Sequence, residues 1–280
     1  VTSTAESGDA FVPLSHNPGA EAEVDWYEAD VEFPWGVERV QFFEMRACFS
    51  GREFHIAFPR QTQQAFLEAH VAALCYFGGV FELIRYDNLT SAVRKVLRGR
   101  RRVETDRFVA LRSHYLFDAE FCRPGKEGAH EKGGVEGGVG RFRRNHLVPV
   151  PRVESYETLN RMLFDNCAED DLRHREGHRA TIIEDWDRER DSLRALPTEP
   201  FQTARIETAR VDAKGCARVS TNRYSVPIKL VHLRIEYRLH ATRIEFVHEG
   251  RVVASHPRLQ GKHGIRVCLD HYLELLWHKP

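Results

Sequence analysis

The sequence predicts an α/β protein: a mixed five-stranded sheet with flanking helices, followed by a helical segment and a small all-β barrel. Three observations point there. Residues 21–60 read as three alternating strands joined by tight turns. Residues 61–87 read as a helix that crosses over to a short buried strand, which makes that strand parallel to an earlier one and the sheet mixed. From about residue 205 to residue 256 the chain breaks into short strands with turn signals between them.

Residues 1–20 are polar, lack a period and read as a linker. The segment AEVDWYEADVEF alternates through Val24 and Trp26, and VERVQFFEMRACFS follows the turn signal Pro34-Trp35-Gly36. REFHIAFPR comes directly after Ser50-Gly51, completing an antiparallel meander. In residues 61–78, Ala65, Phe66, Ala69, Ala73, Leu74 and Phe77 recur at helical spacing, and Gly78-Gly79 supplies the stop. The run VFELIRYD (80–87) is the fourth strand, residues 106–116 are a helix, and 117–123 are the fifth strand. A further helix is expected from about Lys132 to Asn145, so that residues 21–150 form one core. Beyond Pro149-Val150-Pro151 the chain is charged and helical through 151–198, with Tyr156, Leu159, Met162 and Leu163 as an apolar stripe. The break Leu196-Pro197-Thr198-Glu199-Pro200 introduces the barrel at 199–260, whose five expected strands are ARVS, RYSVPI, LRIEYRLHAT, RIEFVHEG and RVVASH. Residues 261–280 form a closing segment. The chain opens without Met and stops after the apolar run YLELLWHKP, so both ends read as cuts.

Composition narrows function little. Lys+Arg and Asp+Glu both number 41, so net charge gives no sign of a nucleic-acid partner. No run reaches the roughly eighteen apolar residues of a membrane span, and no signal peptide opens the chain. The six cysteines are scattered without a C-x-x-C pair, which suggests free thiols in a reducing cytoplasm. His174 and His178 stand four apart, as a helical metal pair would, but no Glu or Cys completes a zinc pattern, and a surface role is expected.

The chemistry lies in three acids. Asp25 stands mid-strand, where a carboxylate is unfavourable unless a site uses it. Asp87 ends the fourth strand, and if that strand lies beside the first, both carboxylates enter one cleft at the sheet's edge. Glu136 follows Gly133 and Gly134 on the first turn of a helix, and those glycines would let it pack close to the sheet. Three converging carboxylates need a compensating cation, and all-oxygen ligation favours Mg²⁺ or Mn²⁺, two ions about 4 Å apart, clamping a phosphoryl displacement. Asp30, on the opposite strand face from Asp25, and Asp118 are rival acids; Asp30 is expected to be structural. Residues 94–102 hold six basic side chains in nine positions: Arg94, Lys95, Arg98, Arg100, Arg101 and Arg102. Beside a phosphodiester-cleaving site they suit DNA phosphates, as do Lys132 and Arg143, four before and seven after Glu136 on one helical face.

With "EVDW" at Asp25, "RYDN" at Asp87, "KGGVE…FRRNHLVP" around Glu136 and "NRYSVP" in the barrel, the sequence resembles the integrase catalytic core of DDE transposases and retroviral integrases, and within them the IstA-type transposases. Sixty-one residues separate the first two acids and 48 the second and third. The resemblance covers nearly the whole chain and implies a ribonuclease-H-like fold, with a barrel similar to that of Mu-like transposases. It also implies metal-dependent 3′-end cleavage and strand transfer, with Asp25, Asp87 and Glu136 as metal-binding catalytic residues. The implied partners are transposon-end and target DNA, further copies of the chain on DNA, and an AAA+ helper ATPase of the IstB type; no membrane is involved. The expected setting is the bacterial cytoplasm, at the nucleoid. The helix-turn-helix domains that precede such cores have no counterpart here. From the residues alone, a ribonuclease-H-type nuclease and an inactive DNA-binding or assembly remnant stay open.

Overall fold

The computed structural model describes residues 16–86, 93–96, 102–122 and 135–274, with the side chains of 93–96, 102–104, 135 and 136 excepted. Strand β1 (Glu21–Phe33) turns at Pro34-Trp35 into antiparallel β2 (Gly36–Ala47), which pairs with β3 (Glu53–Phe58). Helix α1 (Gln63–Phe77) follows. Thr62 caps its first turn by accepting the Ala65 N–H, and Gly78 ends it at φ 69°, a left-handed conformation that glycine adopts without steric cost. The crossover delivers β4 (Leu83–Tyr86) parallel to β1. After it come β5 (Val93–Val96) and β6 (Arg102–Glu104), an antiparallel pair, then α2 (Asp106–Tyr115) and β7 (Asp118–Phe121), parallel to β4. The sheet order is β3-β2-β1-β4-β7. Three antiparallel strands followed by two parallel ones form the mixed, ribonuclease-H-like sheet that the sequence predicts.

Alternation along β1 divides the core. Ala22 and Val24 face α1 and α2 with Phe43, Met45, Phe66 and Phe108, whereas Tyr27, Ala29, Val31 and Phe33 face α3 (Val135–His146) and α4 (Tyr156–Asp170). Asp25 shares the parity of Tyr27, and hence its face. On the first face His70 is fully buried and lies between the Phe66 carbonyl (2.7 Å) and the Tyr86 hydroxyl (2.9 Å). A carbonyl only accepts, so Nδ1 carries the proton and Nε2 accepts from Tyr86. Burial pushes the imidazole down to about 4, which keeps it neutral.

The expected helical segment differs from its sequence reading. It is two helices, α4 and α5 (Ile182–Glu189), separated by irregular chain at 171–181. Thr181 and Glu184 form a capping box that restarts the helix. His174 and His178 lie in the irregular part, where His174 bridges to Thr181 and His178 meets Arg175, so they do not form a helical pair. The segment packs onto the core: Trp186 sits with Phe77, and Val80 bridges to Arg194.

The region expected as a small all-β barrel is built from two small sheets. Strands β8 (Arg205–Arg210), β11 (Arg234–Leu239), β12 (Arg243–His248) and β13 (Arg251–Pro257) form one sheet in the order β13-β12-β11-β8. Strands β9 (Cys216–Val219), β10 (Asn222–Ser225) and β14 (Ile265–Arg266) form another, in the order β14-β10-β9. The sheets share a core around Tyr224, Tyr237 and Phe246 and meet at the Val211–Ala217 bridge. Among the described residues no ladder joins β13 to β14, which is only two residues long. This unit touches α1, where the Ala241 N–H donates to Glu68 Oε1 (2.8 Å). None of the described helices is long and apolar enough to cross a membrane.

Candidate active site

Asp25 is half-buried in the middle strand of the sheet, and its Oδ1 accepts the Trp26 N–H at 2.8 Å. Across the antiparallel ladders it stands opposite Glu44, which stands opposite His55. On its other side the β1–β4 ladder runs from Glu21–Leu83 to Val24–Tyr86. The last described rung therefore holds the residues that immediately precede Asp25 and Asp87. Asp87 itself lies outside the described residues, as do Lys132, Arg98, Arg100 and Arg101. Glu136 is the second residue of α3, with its backbone described and its side chain not. The backbone of Arg94 and Lys95 lies on β5 and that of Arg102 on β6, so part of the basic run is a hairpin; Arg143 is exposed on α3. Asp30 is an exposed partner of Arg39 (3.2 Å), a surface role, and the Asp118 side chain is 87% exposed at the start of β7.

The seat of α3 is unusual. Glu44 is fully buried in the apolar run Phe42–Met45, and Glu53 and His55 are buried beside it on β3. Gly138 presses against this group: a Cβ there would stand 2.8 Å from Glu53 Oε1 and 3.1 Å from Glu44 Oε1. One turn on, Arg141 donates to both Glu53 and Asp170, and Phe142 stacks on the His55 ring with centroids 3.7 Å apart. Gly133 and Gly134, expected to allow the close approach, lie outside the described residues; within them Gly138 allows it. Sequence reasoning passed over this cluster. Its signal was present as Glu44 and His55 interrupting otherwise apolar strands.

The charges in the cluster sort themselves. Burial, then the neighbouring Glu53 and Asp25, push the Glu44 carboxyl well above its usual range against the pull of Arg46 and Arg141, which favours its protonated form. Burial would raise Glu53 as well, but His55, Arg141 and Arg46 together hold it below the carboxylate range. Burial pushes His55 down. Glu44, Glu53 and His55 do present ligand atoms within 4.8 Å of one another. However, Glu53 already faces the guanidinium groups of Arg141, Arg173 (3.7 Å) and Arg46 (3.9 Å), so a cation there would meet like charge. The cluster is an ionic knot, with Asp25 at its edge as the row's half-exposed acid.

Residues 196–268 match the family model described as Mu transposase, C-terminal domain. A transposase from Aminobacter aminovorans is 33% identical, over 96% of this chain and 54% of its own length. The transposase for insertion sequence element IS21 from Pseudomonas aeruginosa is 30% identical, over 94% of this chain and 67% of its own length. The chain spans about half the length of the first curated relatives it matches. Among solved structures, the HTLV-2 integrase catalytic core domain in complex with magnesium is 14% identical, with a TM-score of 0.44, over 60% of this chain and 97% of that one.

Proposed function

This chain belongs to the family of the IS21-type transposases, and from that premise we propose that it carries the catalytic centre for metal-dependent DNA 3′-end cleavage and strand transfer. Asp25, Asp87 and Glu136 are the proposed ligands of Mg²⁺ or Mn²⁺, two ions in all. The donor set suits them: Asp25 offers a hard oxygen from a half-exposed position, and burial pushes the carboxyl of the neighbouring Glu44 above its usual range, toward the neutral form. The observation that supports the reading most is the β1–β4 ladder, because its last described rung, Val24–Tyr86, holds the residues that immediately precede Asp25 and Asp87 in the sequence. When bound, the ions would stabilise the charge that develops at the scissile phosphate.

The chain's own part is positional. The middle strand holds Asp25, with Oδ1 anchored on the Trp26 N–H. Helix α3, which carries Glu136 as its second residue, packs on the same face of the sheet through Phe142. Arg94 and Lys95 on β5 and Arg102 on β6, together with Arg98, Arg100, Arg101, Lys132 and Arg143, are proposed to hold DNA phosphates. Transposon-end and target DNA, further copies of the chain and an AAA+ helper ATPase are the proposed partners.

The test is joining of a pre-cut transposon end to plasmid DNA by the full-length protein. Mg²⁺-dependent joining, with an RNA–DNA hybrid left intact, is the expected result. Cleavage of the hybrid without joining would instead make the protein a ribonuclease-H-type nuclease.

A further inference from the structure

We propose that Gly138, Arg141 and Phe142 of α3, seated on Glu44, Glu53 and His55, form a clamp that sets where Glu136 stands against β1. This rests on the reading of Glu136 as a metal ligand; the clamp residues are positioning residues that touch neither metal nor DNA.

The three α3 positions follow the i, i+3, i+4 pattern, so they share one face of the helix. Each is held in a different way. Gly138 lets the backbone approach so closely that a Cβ there would stand 2.8 Å from Glu53 Oε1, closer than ordinary contact. Arg141 bridges two elements, Glu53 on β3 and Asp170 at the end of α4. Asp170 also lies 3.2 Å from His146 on the last turn of α3, so the far end of the helix is tied too. Phe142 stacks on His55, whose Nδ1 lies 3.1 Å from the Tyr27 hydroxyl, two residues along β1 from Asp25. The contacts thus run from the helix that carries Glu136 to the strand that carries Asp25. The surrounding groups give little room for adjustment: Glu53 is buried among three guanidinium groups, and leaving a buried charge unpaired is costly. Gly138 lies two residues, roughly 3 Å of helix rise, from Glu136, so a shift at the clamp reaches Glu136 almost undiminished.

Gly137 supplies an internal control. It is exposed, and a Cβ there would meet nothing within 4 Å. Gly137→Ala and Gly138→Ala make the same change in helix propensity, but only the second adds an atom to the clamp. A Cβ at Gly138 needs about 0.5 Å of give, from the Glu53 and Glu44 carboxylates or from the helix; the three guanidinium groups around Glu53 resist the first, and catalytic constellations tolerate only about that much of the second. In the full-length protein, Gly138→Ala is expected to lower maximal joining of a pre-cut end about 10- to 100-fold at saturating DNA. The Mg²⁺ concentration for half-maximal rate should rise, and DNA affinity should stay unchanged. Gly137→Ala should match the parent protein. Arg141→Ala should behave like Gly138→Ala, and Arg141→Lys, which keeps the charge but reaches only one carboxylate, should recover part of the rate.

Equal rates and equal Mg²⁺ requirements for the Gly138→Ala and Gly137→Ala proteins would overturn the clamp. So would a loss that only tracks the folded fraction measured by circular dichroism. If Gly138→Ala does not fold, the same comparison is made between Arg141→Lys and the parent protein, and an unchanged Mg²⁺ requirement overturns the proposal. Glu136→Gln is run alongside. If it still joins DNA, the assignment of Glu136 fails. If it is inactive while Gly138→Ala is fully active, the clamp alone fails.

Discussion

Asp25→Asn in the full-length protein is expected to slow strand joining by roughly 1000-fold or more, about 4 kcal/mol of lost transition-state stabilisation. The substitution is close to isosteric, and the Asn carbonyl can still accept the Trp26 N–H that Asp25 Oδ1 accepts at 2.8 Å. Packing around the strand should therefore survive, and thermal stability should stay close to that of the parent protein. The negative charge is what disappears. Glu44, the residue opposite, does not replace it, because burial pushes its carboxyl toward the neutral form. Binding to the transposon end should change little, since it rests on phosphate contacts remote from a single carboxylate. Joining rates, measured with a pre-cut end in Mg²⁺ beside a DNA-binding titration, separate the two effects. A variant that binds and joins like the parent would remove Asp25 from the site.

Trp186→Ala should destabilise the five-stranded sheet and its helices by about 3–5 kcal/mol, as burial-to-cavity substitutions of large aromatics do. Trp186 is 4% exposed on α5, its ring lies 5.4 Å from that of Phe77 on α1, and the Arg52 guanidinium stands 4.9 Å from it. Arg52 in turn lies over Tyr76 at 4.3 Å and pairs with Asp171 at 2.9 Å, so one truncation loosens α1, the β2–β3 turn and the chain after α4 together. Denaturant titration followed by the signal of the core sheet should show a lower midpoint with an unchanged slope. A cost below about 1 kcal/mol would mean that the segment from 151 to 198 is a spacer resting on the core rather than part of it.

How much of this was legible in the sequence follows from which patterns are local. The meander was readable because Val24 and Trp26 alternate and Gly36 and Gly51 mark its turns, and the crossover because α1 ends on Gly78. The break between α4 and α5 was not, since charged residues at 171–181 fit an exposed helix as well as a loop until Thr181 and Glu184 are seen to cap a new start. Strand β8 was missed for a related reason: Ile206 and Thr208 are exposed and only Ala209 within it is buried, so no apolar alternation announces it. Asp25 stood out as a lone carboxylate between apolar neighbours. The knot around Glu53 did not, because its guanidinium partners Arg46, Arg141 and Arg173 come from three distant stretches of chain, and only the fold brings them together.

The most direct measurement is anomalous diffraction from Mn²⁺ in crystals of the full-length protein bound to a transposon end. Two peaks are expected, each about 2 Å from carboxylate oxygens of the set Asp25, Asp87 and Glu136, with Asp25 touching at least one. Mn²⁺ lodged instead among Glu44, Glu53 and His55, or no peak at Asp25 with the DNA end in place, would contradict this assignment.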